Sequence, residues 1–257
     1  MLLCIDVGNS NISIGLADKE QLINQWRMRT DPNITSDELW MFLSFIFNEK
    51  CKNKNNIEII ISSVVPPLDE KIKDICIKYL KKDPFMVTPE VKLGISISYE
   101  DPKALGTDRI VNAAGAYARY KKGIIIVDLG TATTFDYVSS DGVYIGGAIS
   151  PGIITSANAL FKHAHKLPKI VKFYTPKSVL AKNTIDSINT GIIYGYACLV
   201  DGMIEKIKTE IGDTQIVTIA TGGLAHLIKE VSKGIDIVDK TLTLYGLIEI
   251  YNLNRKK

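Results

Sequence analysis

The fold of this chain is decided by a stretch that occurs twice, first as Leu3-Cys4-Ile5-Asp6-Val7-Gly8-Asn9-Ser10-Asn11 and then as Ile126-Val127-Asp128-Leu129-Gly130-Thr131-Ala132-Thr133-Thr134. Each copy reads as an apolar strand, an aspartate, one apolar residue, a glycine and a run of small polar residues, and each continues into a second strand. The two aspartates are separated by close to half the chain. A period of this length indicates a duplicated domain rather than a solenoid of short repeats.

The sequence around each copy alternates between strand and helix patterns. In the first half, apolar residues at helical spacing follow Ser36, and the apolar run Ile57–Val65 predicts a buried parallel strand that ends at Pro66-Pro67. In the second half, strand patterns flank a long helix predicted from about Ser187 to Gly212, and a last helix is predicted over Thr241–Leu253. We therefore predict an α/β fold in two halves.

Composition narrows the class of protein. The chain has 257 residues, of which 46% are hydrophobic and 23% charged, so it has enough apolar residues for a real core. A net charge of +3 gives no argument for nucleic acid. The four cysteines, at 4, 51, 76 and 198, form no CxxC pair, which argues against a zinc site or a disulfide scaffold. Without a signal-peptide pattern or a long apolar segment, we expect a cytoplasmic protein with no membrane or nucleic-acid partner.

The Asp-x-Gly hairpins have a chemistry suited to phosphate. Glycine just beyond a strand allows close approach of a ligand, and the neighbouring N–H groups and short hydroxyl or amide side chains make a concavity that binds anions. The aspartate itself repels phosphate but can hold a cation or a bridging water. Two such hairpins facing across a cleft would grip a polyphosphate from both sides; each alone also fits an ordinary turn. The sequence has neither a P-loop nor a GxGxxG segment after a strand.

Two further glycine segments stand where a nucleotide site needs them. Gly146-Gly147-Ala148-Ile149-Ser150-Pro151-Gly152 is predicted to follow a strand and precede a helix. Thr221-Gly222-Gly223 follows the strand predicted over Ile216–Ala220 and is predicted to open another helix. Such junctions admit a ligand, and the N-terminus of a helix favours negative charge. The alternative is that these glycines only punctuate helix starts.

A third element lies between the hairpins, in the segment Leu105-Gly106-Thr107-Asp108-Arg109. Here Asp108-Arg109 is predicted to open a helix that runs to about Tyr120, with small residues for close packing. Asp108 is a candidate general base beside an anion-pairing guanidinium. Alternatively, Asp108 could serve only as a negative charge that complements the helix dipole, and Arg109 only as one partner of a surface ion pair.

Taken together, these segments resemble the type III pantothenate kinases, which belong to the acetate and sugar kinase/Hsp70/actin superfamily. The resemblance runs through the whole chain in order. The Asp-x-Gly hairpin marks only the superfamily, whereas the Gly-x-Asp-Arg and Gly-Gly-x-Ile-x-Pro-Gly segments are more specific. Ser10 departs from the family's usual threonine but keeps the hydroxyl. The resemblance implies two duplicated ribonuclease H-like (actin-like ATPase) domains, 1–115 and 116–257, with a nucleotide cleft between them.

The resemblance also implies an activity, the ATP-dependent phosphorylation of pantothenate to 4′-phosphopantothenate in coenzyme A biosynthesis, and a role for particular residues. Asp108 is the implied proton acceptor, and Asp128 the implied ligand of a monovalent cation, K⁺ or NH₄⁺, with Mg²⁺ accompanying ATP. The implied ATP-binding residues are Asp6, Val7, Gly8, Asn9, Ser10, Asn11, Ile12, Ser13, Thr131 and Gly222. The implied pantothenate-binding residues are Tyr99, Gly106, Thr107, Asp108, Arg109 and Thr184. Members are commonly homodimers, with Thr184 reaching the pocket across the interface.

Two alternatives stay open at the level of sequence. One is another small-molecule kinase of the same superfamily, such as a sugar kinase. The other is a non-enzymatic regulator, because relatives of the family have been described as accessory transcription factors. The near-neutral charge and the lack of a basic helix argue against direct DNA binding.

Overall fold

The structure, a computed structural model, describes residues 1–50, 57–164, 166–168, 172–213 and 215–255. The chain divides into two compact units. The first consists of Met1–Arg119 and Leu242–Lys257, and the second of Tyr120–Thr241. None of the helices in the described ranges is both long and apolar enough to cross a lipid bilayer. Cys4, Cys76 and Cys198 carry free thiols, and Cys51 lies outside the described residues.

The first unit is built on a sheet with the strand order β3-β2-β1-β4-β5. Strand β1 is antiparallel to β2 and parallel to β4, β2 is antiparallel to β3, and β4 is parallel to β5. Its elements are β1 Leu2–Val7, β2 Asn11–Asp18, β3 Gln21–Arg29, α1 Ser36–Lys50, β4 Glu58–Ser63, α2 Pro66–Ile75, β5 Phe85–Met86, β6 Ser96–Ile97, α3 Thr107–Tyr120 and, at the end of the chain, α7 Leu242–Asn254.

Helices cover both faces of this sheet because the central strands are apolar on both. Leu3, Ile5 and Val7 of β1 form one core with α1 and α2. Helix α7 packs against β1, β2 and β4 from the other side. Helices α3 and α7 touch at two glycines, since a Cβ added at Gly115 would lie 2.8 Å from the Cα of Gly246. The small residues of α3 thus serve the close packing that the sequence predicts.

The second unit repeats this plan. Its own strands lie in the order β9-β8-β7-β10-β11, with β7 antiparallel to β8 and parallel to β10. Its elements are β7 Ile124–Leu129, β8 Ala132–Val138, β9 Val143–Pro151, α4 Ile153–His163, α5 Thr184–Ile211, β10 Val217–Thr221, α6 Ala225–Lys229 and β11 Ile237–Val238. Each unit therefore has two parallel strands on one side of a hairpin-linked central strand. The duplicated α/β fold predicted from the twin stretches is confirmed.

Several predicted boundaries differ from the structure. A boundary after residue 115 falls inside α3, and α7 belongs to the first unit because it packs on the sheet of that unit. The prediction that Gly146–Gly152 follows a strand is wrong, because β9 stays paired with β8 as far as Pro151. Strand β4 ends at Ser63, and Pro66 begins α2, where a missing N–H costs nothing.

Candidate active site

The first hairpin joins β1 to β2 through the three residues Gly8, Asn9 and Ser10. The Gly8 N–H donates to the carbonyl of Asn11 at 3.1 Å. Thr30, which is buried, fastens the turn from outside: its hydroxyl donates to the Gly8 carbonyl at 2.6 Å and its N–H to the Ser10 carbonyl at 3.0 Å. The loop is therefore held in one shape while its small polar side chains stay exposed.

The predicted ATP-binding residues of this segment divide into two groups. Asn9, Ser10 and Asn11 are exposed at the tip of the hairpin, and Asp6 and Ser13 are half-buried and paired across the two strands. Val7 and Ile12 are buried, so their side chains belong to the core and only their backbone is left to face a ligand.

The second hairpin joins β7 to β8 through only two residues, Gly130 and Thr131. The carbonyl of Thr131 accepts two hydrogen bonds from the start of α4, from the Gly152 N–H at 3.1 Å and from the Thr155 hydroxyl at 2.7 Å. A Cβ added at Gly152 would lie 2.3 Å from that carbonyl oxygen, so no other residue fits there. The final glycine of the Gly146–Gly152 segment thus holds the hairpin that carries Thr131.

Asp128 lies at the end of β7, where several oxygen atoms and glycines gather. Thr134 and Thr221 are its partners in register on the two neighbouring strands. Gly222 has φ +97°, and a Cβ there would lie 2.8 Å from the Asp128 Oδ1 atom and 2.6 Å from the Leu129 carbonyl oxygen. Glycine at 222 is therefore needed both for its backbone conformation and for the space over the carboxylate.

This donor set fits a cation. Carboxylate, hydroxyl and carbonyl oxygens are the ligands that hard cations such as K⁺ and Mg²⁺ take, and the glycine at 222 places no side chain against the Asp128 Oδ1 atom. Within the described ranges, no group of three or more His, Cys, Asp or Glu side chains is arranged to hold a metal ion. A cation here would depend on Asp128 together with neutral oxygens.

Thr134 is itself held in place by a buried carboxylate, Asp136, which no sequence pattern marks. Its hydroxyl donates to Asp136 at 3.1 Å, and the hydroxyl of Tyr144, fully buried, donates to the other carboxylate oxygen of Asp136 at 2.6 Å. The chain Tyr144–Asp136–Thr134 therefore ends beside Asp128.

Asp108 stands in the first turn of α3, as predicted, and is half-buried. Burial raises the pKa of its carboxyl above the ordinary value, although the backbone N–H and the guanidinium of Arg109 act in the opposite direction. The Arg109 N–H donates to the Asp108 Oδ1 atom at 2.8 Å. A Cβ at Gly106 would lie 2.6 Å from the same oxygen, which explains why glycine precedes this turn. Arg109 is only 7% exposed, so the alternative of a surface ion pair is wrong.

Thr107 connects Asp108 to the central sheet of the first unit. Its hydroxyl donates to the Ser63 carbonyl at 2.8 Å and accepts from the Ser62 hydroxyl at 3.1 Å. Ser62 is the partner of Asp6 in the parallel pair of β1 and β4, so both side chains lie on one face of the sheet. In the first unit, Thr107 and Ser62 therefore connect the start of α3, which carries Asp108, to the strand pair that carries Asp6.

Tyr99 and Thr184 are the remaining residues predicted to bind pantothenate. Tyr99 is 37% exposed and follows β6. Thr184 is the first residue of α5 and is exposed. It lines a cavity of about 450 Å³ between α4 and α5, together with Ser156, Leu160 and Tyr196.

Sequence reasoning missed the residues that hold the site rather than bind the ligand. Thr30, Ser62 and Thr155 fasten the two hairpins and the start of α3. One signal was available for Ser62: Ser62-Ser63 ends an apolar parallel strand, and ligands of open α/β sheets bind outside the carboxyl ends of such strands. No local pattern marks Thr30 or Thr155.

Comparison with known proteins gives a consistent result. Residues 2–206 match the model of a family described as type III pantothenate kinase. The chain is 49% identical over 255 residues to the type III pantothenate kinase of Syntrophus aciditrophicus (strain SB), covering 99% of this chain and 100% of that protein. It is 48% identical to the one from Syntrophobacter fumaroxidans (strain DSM 10017 / MPOB), covering 100% and 99%.

Solved structures give the same architecture at low sequence identity. A protein described as a Baf family transcriptional activator from Campylobacter jejuni aligns with a TM-score of 0.58 at 22% identity, over 98% of both chains. A ROK family glucokinase from Streptomyces griseus, solved with glucose and AMPPNP, aligns with a TM-score of 0.55 at 12% identity, also over 98% of both. These two likenesses show the actin-like ATPase fold alone. The family model and the full-length relatives go further, and the chain belongs to the type III pantothenate kinase family.

Proposed function

We propose that this protein transfers the γ-phosphoryl group of ATP to the primary hydroxyl of pantothenate, which yields 4′-phosphopantothenate and ADP at the start of coenzyme A biosynthesis. The observation that carries the proposal is the near 50% identity to type III pantothenate kinases over the whole length of the chain. The two Asp-x-Gly hairpins, at equivalent strand ends of two like sheets, supply the chemistry that phosphoryl transfer needs.

Phosphoryl transfer asks a protein mainly for positioning and for charge stabilisation. We assign the ATP phosphates to the first hairpin, Asp6 to Ser13, and to Thr131 of the second, with Gly222 beside the nucleotide. The exposed tip residues Asn9, Ser10 and Asn11 present N–H, hydroxyl and amide groups, which bind phosphate oxygens without charge repulsion. The hydrogen bonds from Thr30 and Thr155 keep both loops in shape before ATP arrives.

Asp108 is assigned as the general base. Its carboxylate accepts the proton of the pantothenate hydroxyl as the bond to phosphorus forms. Burial raises the pKa of this carboxyl, which makes the carboxylate a stronger base than a solvated aspartate. Tyr99, Gly106, Thr107, Arg109 and Thr184 are assigned to the pantothenate pocket. The pocket needs a partner for the substrate carboxylate, and the buried guanidinium of Arg109 has the right charge for it.

Asp128 is assigned to a monovalent cation, K⁺ or NH₄⁺, and Mg²⁺ enters with ATP, as kinases generally require. The cations, when bound, offset the negative charge of the triphosphate. Asp128 contributes one carboxylate to that site, and the glycine at 222 puts no side chain against it.

We also propose that the protein works as a homodimer in the cytoplasm, where ATP is available. Large apolar side chains remain exposed on α4 and at the start of α5: Ile154 is 52% exposed, Leu160 41% and Ile185 50%. A second copy covering this face would bury them, and Thr184, at the same end of α5, would reach the pantothenate pocket across that interface.

A coupled ADP-release assay tests the proposal against its alternatives. Purified protein is supplied with Mg²⁺, K⁺ and ATP, and then with pantothenate, glucose or acetate. We expect ADP release that depends on pantothenate and is at background with the other two. A rate that depends on glucose or acetate would assign the protein to another kinase of the fold, and no acceptor-dependent rate would favour the non-enzymatic alternative.

A further inference from the structure

A fully buried serine stands behind the candidate base. Ser62 has no exposed surface and is the partner of Asp6 in the parallel pair of β4 and β1, one position before the pair ends at Ser63 and Val7. Its hydroxyl donates to the Thr107 Oγ1 atom at 3.1 Å, and Thr107 in turn donates to the Ser63 carbonyl at 2.8 Å. Burying a hydroxyl without a hydrogen bond costs free energy, and the bond to Thr107 offsets that cost for Ser62.

Counting protons fixes the direction of both bonds. The Thr107 hydroxyl has one proton, and the Ser63 carbonyl can only accept, so the Thr107 proton points to Ser63. The hydrogen bond between Ser62 and Thr107 must then use the proton of Ser62. Thr107 is therefore held at two points on its oxygen, which leaves its side chain one orientation.

The two hydrogen bonds that attach Thr107 to β4 also restrict the position of the Asp108 carboxylate. Asp108 follows Thr107 directly in the first turn of α3, and its Oδ1 atom accepts from the Arg109 N–H at 2.8 Å. The same oxygen stands so close to Gly106 that a Cβ there would be 2.6 Å away. With the carboxylate confined on these sides, its position relative to Asp6 follows from how the turn is fastened to β4.

We propose that Ser62 is a positioning residue for the phosphoryl-transfer reaction, acting through Thr107 to fix the base Asp108 beside the β1 strand end. The inference rests on the proposed function, since it gives Asp108 the role of base. Ser62 touches neither substrate in this scheme. Its removal is expected to lower kcat while leaving the KM for ATP unchanged, because the ATP loop is fastened separately by Thr30.

The first test is the variant Ser62→Ala. We expect kcat to fall about tenfold, because displacements well below 1 Å at a reacting group already cost rate. The matched control is Ser63→Ala, which removes the same atom one residue later: the Ser63 hydroxyl accepts from the Val65 N–H, and the carbonyl that Thr107 uses is kept. We expect a much smaller change in kcat for Ser63→Ala. A kcat within twofold of wild type for folded Ser62→Ala would overturn the inference.

A second pair of variants covers the case in which Ser62→Ala does not fold. Thr107→Val keeps the shape of the side chain but removes the hydroxyl that bonds to the Ser62 hydroxyl and the Ser63 carbonyl. Thr107→Ser keeps that hydroxyl. We expect Thr107→Val to lose kcat and Thr107→Ser to recover most of it. Equal kcat values for the two would contradict the inference, because the bonded hydroxyl is what distinguishes them.

A double-mutant cycle separates positioning of the base from a general loss of structure. Because Asp108→Asn is expected to turn over slowly, its residual activity is measured as transfer of radiolabelled phosphate from ATP over several hours. We expect Ser62→Ala to have little further effect in that background, because there is no base left to position. An equal fold loss in both backgrounds would overturn the inference and make Ser62 merely structural. Full turnover by Asp108→Asn itself would instead refute the proposed role of Asp108.

Discussion

Replacing Gly106 by alanine tests the position of the Asp108 carboxylate, because the structure shows which atom the added methyl group would meet. The added Cβ would lie 2.6 Å from the Asp108 Oδ1 atom, and the next neighbours are the Asp108 Cγ atom and a Val64 methyl group, both at 3.7 Å. Ordinary van der Waals contact begins near 3.4 Å, so the carboxylate must retreat by about 0.8 Å. A misplacement of about 1 Å can cost about 100-fold in rate, which corresponds to about 2.7 kcal/mol of transition-state stabilisation.

The assay for Gly106→Ala is a comparison of kcat, KM and Tm with wild type. We expect kcat to fall about 100-fold, with Tm little changed, because the clash meets only the end of a side chain. Gly246→Ala is the contrasting control: its Cβ would lie 2.2 Å from the Val111 carbonyl oxygen, where only backbone can move. We expect that control to lower Tm strongly. If Gly106→Ala keeps wild-type kcat, the carboxylate is not held where the reasoning requires it.

Four further results follow from the structure. Because burial raises the pKa of Asp108, kcat/KM should fall as the pH drops through a value above 3.8; an acid limb at or below 3.8 would contradict this. The same raised pKa means that the folded state is penalised once the carboxyl ionises, so Asp108→Asn should raise Tm at pH 7, and the gain should vanish as the pH falls toward 3.8. Replacing K⁺ by Na⁺ should reduce turnover through the Asp128 site, and equal rates in the two salts would count against that site. Tyr144→Phe removes the 2.6 Å hydrogen bond to buried Asp136 and should lower the free energy of unfolding by about 2 kcal/mol in denaturant titrations, whereas an unchanged midpoint would show that the bond contributes nothing.

The parts of the fold that the sequence predicted are those encoded locally. An apolar strand followed by Asp-x-Gly and small polar residues specifies a hairpin by its own pattern, and its recurrence reveals the duplication. The start of α3 near Asp108 was predictable for the same reason. The place of α7 was not, because its attachment to the first unit depends on packing against β1, β2 and β4, which all lie before residue 64.

The residues that hold the site escaped prediction because their contacts are long-range. Ser62 and Thr107 are 45 residues apart, Thr30 and Gly8 are 22 apart, and Thr155 and Thr131 are 24 apart. Serine and threonine at such places read as ordinary strand or helix residues, since nothing nearby indicates what their hydroxyls contact. The burial of Arg109 was equally hidden, because an Asp-Arg pair at a helix start reads as a surface pair.

The most direct test of the account is the turnover of Asp108→Asn with pantothenate, measured beside wild type at pH 7 with ATP, Mg²⁺ and K⁺. We expect wild-type protein to move the label of [γ-³²P]ATP onto pantothenate, and Asp108→Asn to lower kcat by about 100-fold to 10,000-fold while the KM values for both substrates change little. A variant that turns over at close to the wild-type rate, in a protein that is folded, would contradict it.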